Sequence, residues 1–159
     1  MLYDRILVAV DPGPSETDFH LPRIQQIAQM TGATIYLLHV ARGHIVPADI
    51  SVGAGLGVVT AEDDVEDHEL AVVQDAVDKL AAAGIPAHGE LVSATKHEVA
   101  DVILDRAREL DVDLIILGPQ HQRSHVAERV IRHRPPCSIL LTRPPRTAGA
   151  DAGARGSHR

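Results

Sequence analysis

Four histidines, His39, His97, His121 and His125, fall near the places where strands are expected to end. Two of them, His121 and His125, stand four residues apart with Arg123 between them. Imidazoles grouped in this way could ligate a transition metal or change charge near neutral pH. No Cys or carboxylate stands at ligand spacing from them, so they are read as loop residues and no metal is expected. Asp11 directly follows the apolar run Ile6–Val10 and could act as a base, yet the sequence offers it no partner; a binding or turn role is the expectation. Ser93, Ser124 and Ser138 lack the strained strand-to-helix turn of a serine nucleophile. No catalytic constellation survives, and no enzyme is expected.

Anion chemistry is the stronger candidate. Gly53-Ala54-Gly55-Leu56-Gly57 is rich in glycine, but its glycines alternate and lie a dozen residues beyond the preceding strand, so it reads as a loop and not a phosphate cradle. The carboxylates of Glu62, Asp63, Asp64, Glu66 and Asp67 crowd the start of a helix, where the dipole favours negative charge, and lack the loop spacing of a calcium site. What remains is Gly118, followed by a polar loop to Ser124. There a helix N-terminus with Arg123 beside it could hold one small anion.

These residues need a frame, and hydrophobic patterning supplies it. Leu114-Ile115-Ile116-Leu117 is an unbroken apolar run stopped by Gly118-Pro119, and Ser138-Ile139-Leu140-Leu141 is a second. Runs without alternation suit strands covered on both faces, as in a parallel sheet. Ser124 is expected to start the helix between them, Val126 to His133, which Pro135-Pro136 ends. Ile6–Val10 reads as the first strand. A helix starting between Ser15 and Asp18 follows, with Ile24, Ile27, Ala28 and Met30 inward and Gly32 closing it. Ala33–Val40 is the second strand, 41–60 a long loop, and 61–83 a helix with Val65, Val72, Val73, Ala76, Val77 and Leu80 inward. Pro86–Ser93 is a third strand. Thr95-Lys96-His97-Glu98 matches a capping box, so Thr95 is expected to begin a helix with Val99, Val102, Ile103, Ala107 and Leu110 inward.

Strands alternating with helices predict an open parallel sheet with helices on both faces, whose ligands bind outside the strands' carboxyl ends. That edge carries the candidate nucleotide- or anion-binding residues Asp11, Val40, Gly118, Ser124 and His125.

The 159 residues make one domain over 1–143 and a tail over 144–159 expected to be disordered. Aromatics are only 2% and Trp is absent, so the core must be Val, Ile, Leu and Ala. Residues 1–118 hold 7 basic and 20 acidic side chains and residues 119–159 hold 8 and 2, which leaves the body acidic. An acidic body without aromatics for base stacking argues against nucleic acid as a partner. The single Cys137 fits a reducing cytoplasm and reads as a small buried hydrophobe. No apolar run approaches the ~20 residues of a membrane span, and Asp4-Arg5 interrupt any signal peptide, so no membrane partner is expected.

Three segments resemble a known family. Ile6-Leu7-Val8-Ala9-Val10-Asp11, Tyr36-Leu37-Leu38-His39-Val40, and Asp113–Gly118 with Val126–His133 and Pro136–Leu141 are similar to the opening strand, second strand and C-terminal signature of the universal stress protein family. The resemblance spans residues 3–143. It implies a five-stranded α/β sheet in order 3-2-1-4-5, a cytoplasmic stress-linked role, an adenine-side aspartate at Asp11, and homodimers through the last strand at Ser138, Ile139, Leu140 and Leu141. His39 falls where the family often has His. Members that bind ATP carry a G-x2-G-x9-G-[S/T] loop. Here Gly118 matches the first glycine, His121 stands in place of the second, and the terminal pair aligns with Ser124-His125, with only five residues between Gly118 and Ser124. The expectation is a dimeric, non-enzymatic regulatory module without a full ATP site and without a cofactor. The alternative is an adenine-nucleotide-binding member, or slow ATPase, using the shortened loop.

Overall fold

The computed structural model describes residues 2–10, 14–42, 64–119, 121 and 124–143. Asp11, the glycine-rich segment 53–57, the acidic residues Glu62 and Asp63, Arg123 and the tail 144–159 lie outside the described residues.

Strands β1 (Arg5–Ala9), β2 (Thr34–Arg42), β3 (Ala87–Ala94), β4 (Leu114–Leu117) and β5 (Ser138–Leu141) alternate with helices α1 (Pro14–Thr31), α2 (Asp64–Ala82), α3 (Val99–Glu109) and α4 (Val126–Arg132). The strands form one sheet in the order β3-β2-β1-β4-β5, and every pairing is parallel. This is the α/β architecture that the alternating pattern and the resemblance predicted.

Two cores explain the unbroken apolar runs of β1 and β4, whereas β5, expected to be covered on both faces, is an edge strand with Leu140 and Leu141 exposed. Leu7, Ala9, Leu38, Val40, Ile115 and Leu117 face α3 and α4. Their neighbours Ile6, Val8, Leu37, Leu114 and Ile116 face α1 and α2. Successive residues of a strand point to opposite faces, so a strand covered twice needs an apolar residue at every position. β1 and β4 occupy the middle of the sheet. Their starts are tied together: the Asp113 carboxylate accepts the backbone N–H groups of Asp4 at 2.8 Å and Arg5 at 3.0 Å. Those two donors hold the Asp113 carboxyl below its usual range.

Several boundaries differ from the sequence expectation. β2 runs on to Arg42 and β3 is Ala87–Ala94. Met30, expected inward, is 78% exposed. It lies two residues beyond buried Ala28, about 200° around the helix at 3.6 residues per turn, and so faces away. α3 begins at Val99 instead of Thr95: a single turn closed by the Glu98 N–H on the Thr95 carbonyl (3.0 Å) comes first, and in it Thr95 donates both its backbone N–H (3.0 Å) and its hydroxyl (2.7 Å) to the Glu98 carboxylate. With its hydroxyl spent in that way, only the carboxylate half of the capping box forms. Gly32 and Gly84 close α1 and α2 in the left-handed conformation, at φ 71° and 77°.

Cys137 is half-buried against the α3–α4 core, and burial, then Asp113, pushes its thiol up. That is the environment of a packing residue and not of a reactive thiolate. No helix among the described residues is long and apolar enough to cross a membrane.

Candidate functional site

The carboxyl edge of the sheet is where the buried polar residues collect. Among the described residues the buried polar side chains are His20, His39, His121 and Thr142. His20 lies on α1 after β1, His39 near the end of β2, His121 just beyond β4, and Thr142 just beyond β5. A fold rarely buries polar groups without a use for them. Their concentration on one edge marks it as the candidate site.

His39 turns toward the α1–α2 side of the sheet. Its Nδ1 lies 2.9 Å from the Val10 carbonyl oxygen, and its Nε2 faces Glu69 Oε2 on α2 at 3.4 Å. Val40, the next residue, points to the other side and is packed among Ala94, Leu117 and Val126. The Val40 side chain is thus part of the core.

The β4–α4 connection departs from its expected form. Gly118 is buried directly after β4. Ser124 was expected to start the helix, but the N-cap is His125, with φ 61° and no side-chain capping bond. The Ser124 hydroxyl instead donates to the His121 carbonyl at 3.4 Å, which closes a turn ahead of the helix. His125 sits in the left-handed region that glycine adopts most easily, at the position where the family's terminal Gly-Ser pair aligns. Its ring is 80% exposed and lies 3.4 Å from Glu128. Glu128 occupies the first turn of α4 and also pairs with Arg132 at 2.6 Å. A carboxylate there competes with any anion for the helix dipole.

His97 is exposed in the turn before α3. Of the four histidines singled out from the sequence, His39 and His121 are buried and His97 and His125 are exposed. No group of three or more His, Cys, Asp or Glu side chains that could hold a metal exists among the described residues.

Sequence reasoning missed His20 and Thr142. The Thr142 hydroxyl oxygen lies 3.3 Å from His20 Nδ1 and 3.2 Å from Nε2, and 3.4 Å from the Leu117 carbonyl. The Thr142 N–H also donates to that carbonyl at 3.0 Å. This small network joins α1 to the ends of β4 and β5. The two partners are 122 residues apart, and only the fold brings them together.

Burial, and then Arg23, holds the His20 imidazole below its ordinary value of 6.5. The unfolded chain therefore takes up this proton more readily than the folded one, and stability rises with pH across the window between the two values. His20 stabilises fully above pH 6.5, and its contribution is lost as pH falls through the folded value. The urea midpoint should drop on acidification below pH 6.5, with a smaller slope in His20→Gln. An unchanged slope in the variant would remove His20 from this account.

The universal stress protein family matches residues 2–143. This chain belongs to that family. A universal stress family protein from Burkholderia pseudomallei superposes with a TM-score of 0.62 at 25% identity, covering 89% of this chain and 96% of that one. A universal stress protein from Archaeoglobus fulgidus in complex with dAMP gives 0.63 at 23% identity, over 89% and 98% of the two chains. One from Arabidopsis thaliana with AMP bound gives 0.62 at 15% identity, over 90% and 93%. A further universal stress protein is in complex with cAMP, with a TM-score of 0.60 at 19% identity and coverage of 89% and 97%. No curated protein matches the chain. Below 25% identity the likeness is one of fold, and the universal stress proteins that share it include ones bound to nucleotides.

Proposed function

We propose that this universal stress protein is a dimeric, non-enzymatic stress-response module whose carboxyl-edge crevice does not take the triphosphate of ATP. The observation that carries the reading is the β4–α4 connection. A triphosphate needs several backbone N–H donors at close approach, which glycine permits because it has no Cβ in the way. Positions 119–125 are Pro, Gln, His, Gln, Arg, Ser and His: no glycine, and a proline without an N–H. The short helix that follows presents Glu128 in its first turn and no side-chain cap. A single phosphate asks for far fewer donors. A ligand of the AMP class therefore suits this edge better than ATP, and AMP, dAMP and cAMP are the ligands named for three of the fold neighbours.

A second reading is an adenine-nucleotide-binding member, or slow ATPase, that uses the shortened loop; the nucleotides named for these neighbours favour only its binding half. Denaturing the freshly purified protein and separating the released small molecules tells the two apart. The first reading expects no ATP beyond traces. ATP in proportion to protein would favour the second.

The homodimer and the cytoplasmic location belong to the proposal as well. The dimer rests on the open apolar edge of β5, and the location on the lone cysteine and the family resemblance.

A further inference from the structure

The His39 ring meets two different elements of the fold. A carbonyl oxygen carries no hydrogen, so the 2.9 Å contact with Val10 requires that Nδ1 carry the proton and donate it. This fixes the ring: in the neutral form Nε2 is a bare acceptor. Nε2 is buried and makes no hydrogen bond, and it faces the Glu69 carboxylate at 3.4 Å across the start of α2. The side chain is only 7% exposed, so solvent does not compete for either nitrogen.

Val10 is the first residue past the end of β1, and both of its backbone polar groups are held by β2. Its N–H donates to the Leu38 carbonyl at 2.9 Å, and its carbonyl accepts from the ring of the next residue, His39. A side chain thus extends the β1–β2 ladder by one rung at the point where the central strand leaves the sheet.

We propose that His39 is a positioning residue of the carboxyl-edge crevice. In its Nδ1–H form it fixes the end of β1 by donating to the Val10 carbonyl. The inference rests on the reading that this edge receives the ligand. It gives His39 a role through the Val10 carbonyl and no contact with ligand of its own.

The two ring nitrogens have different amide mimics, and this makes the role testable. Asn places its N–H2 near the Nδ1 position and keeps a donor for Val10. Gln reaches toward the Nε2 position and does not. AMP affinity measured by calorimetry should stay within about threefold of wild type in His39→Asn and fall about tenfold in His39→Gln, a difference of about 1.4 kcal/mol. Equal losses in the two variants would overturn the proposal. A second measurement is independent of any ligand and of variant folding: nitrogen-15 spectra of the wild-type imidazoles. They should show His39 protonated at Nδ1, and a neutral His39 protonated at Nε2 alone would refute the clamp. If the wild-type protein takes no AMP, the reading of the edge as a nucleotide crevice fails, and the spectra still decide the clamp.

Discussion

Ile116→Ala should lower the unfolding free energy by about 2–5 kcal/mol, the range for truncating a large aliphatic side chain in a closed core. Ile116 is fully buried in β4, between β1 and β5, and packs into the core under α1 and α2. The lost methyl groups forfeit their transfer energy, and a sheet paired on both sides cannot collapse into the space they leave. A domain of this size is stable by only about 5–15 kcal/mol, so the variant should shift the urea midpoint strongly. Met30→Ala, at a site 78% exposed on α1, is the control and should change stability by less than about 0.5 kcal/mol. Equal effects at the two sites would mean that the central strands are not packed as described.

Leu140→Lys should weaken the proposed dimer at least about a hundredfold. β5 is an edge strand of four residues, and Leu140 and Leu141 on it are 37% and 40% exposed, with Ile131 of α4 51% exposed nearby in the chain. Leu140 pairs in register with Ile116 and Leu141 with Leu117, so the two point to opposite faces of the sheet. An apolar edge of this kind pairs readily with a second copy. Covering one leucine is worth about 1.5–3 kcal/mol, and a two-fold interface counts each residue twice. Sedimentation or light scattering at tens of micromolar would read the change. A wild-type monomer at that concentration would sink the dimer, and an unaffected dimer in the variant would move it away from β5.

The sheet was legible because β4 is apolar throughout and β1 is apolar from Ile6 onward, a pattern that double coverage explains. The strand order came from the family resemblance, since runs of similar composition do not say which neighbours which. Helix faces were legible where spacing repeats, as at Val73, Ala76, Val77 and Leu80. Met30 misled because an apolar type was given more weight than its angular position. The start of α4 was misread at Ser124: serine is a good cap, but its hydroxyl found the His121 carbonyl first. The candidate site was legible in part. Topology pointed to the strands' carboxyl ends and picked out His39 and His121. His20 and Thr142 gave no local signal, since neither belongs to a motif and their contact joins residues 122 positions apart.

Calorimetric titration of the purified protein with ATP and magnesium tests the central claim most directly. The loop from Gly118 to His125 predicts no saturable heat below about 1 mM ATP, an interaction worth no more than about 4 kcal/mol. Saturable binding in the low-micromolar range, lost on Asp11→Ala, would contradict it and establish a nucleotide site of the full triphosphate class.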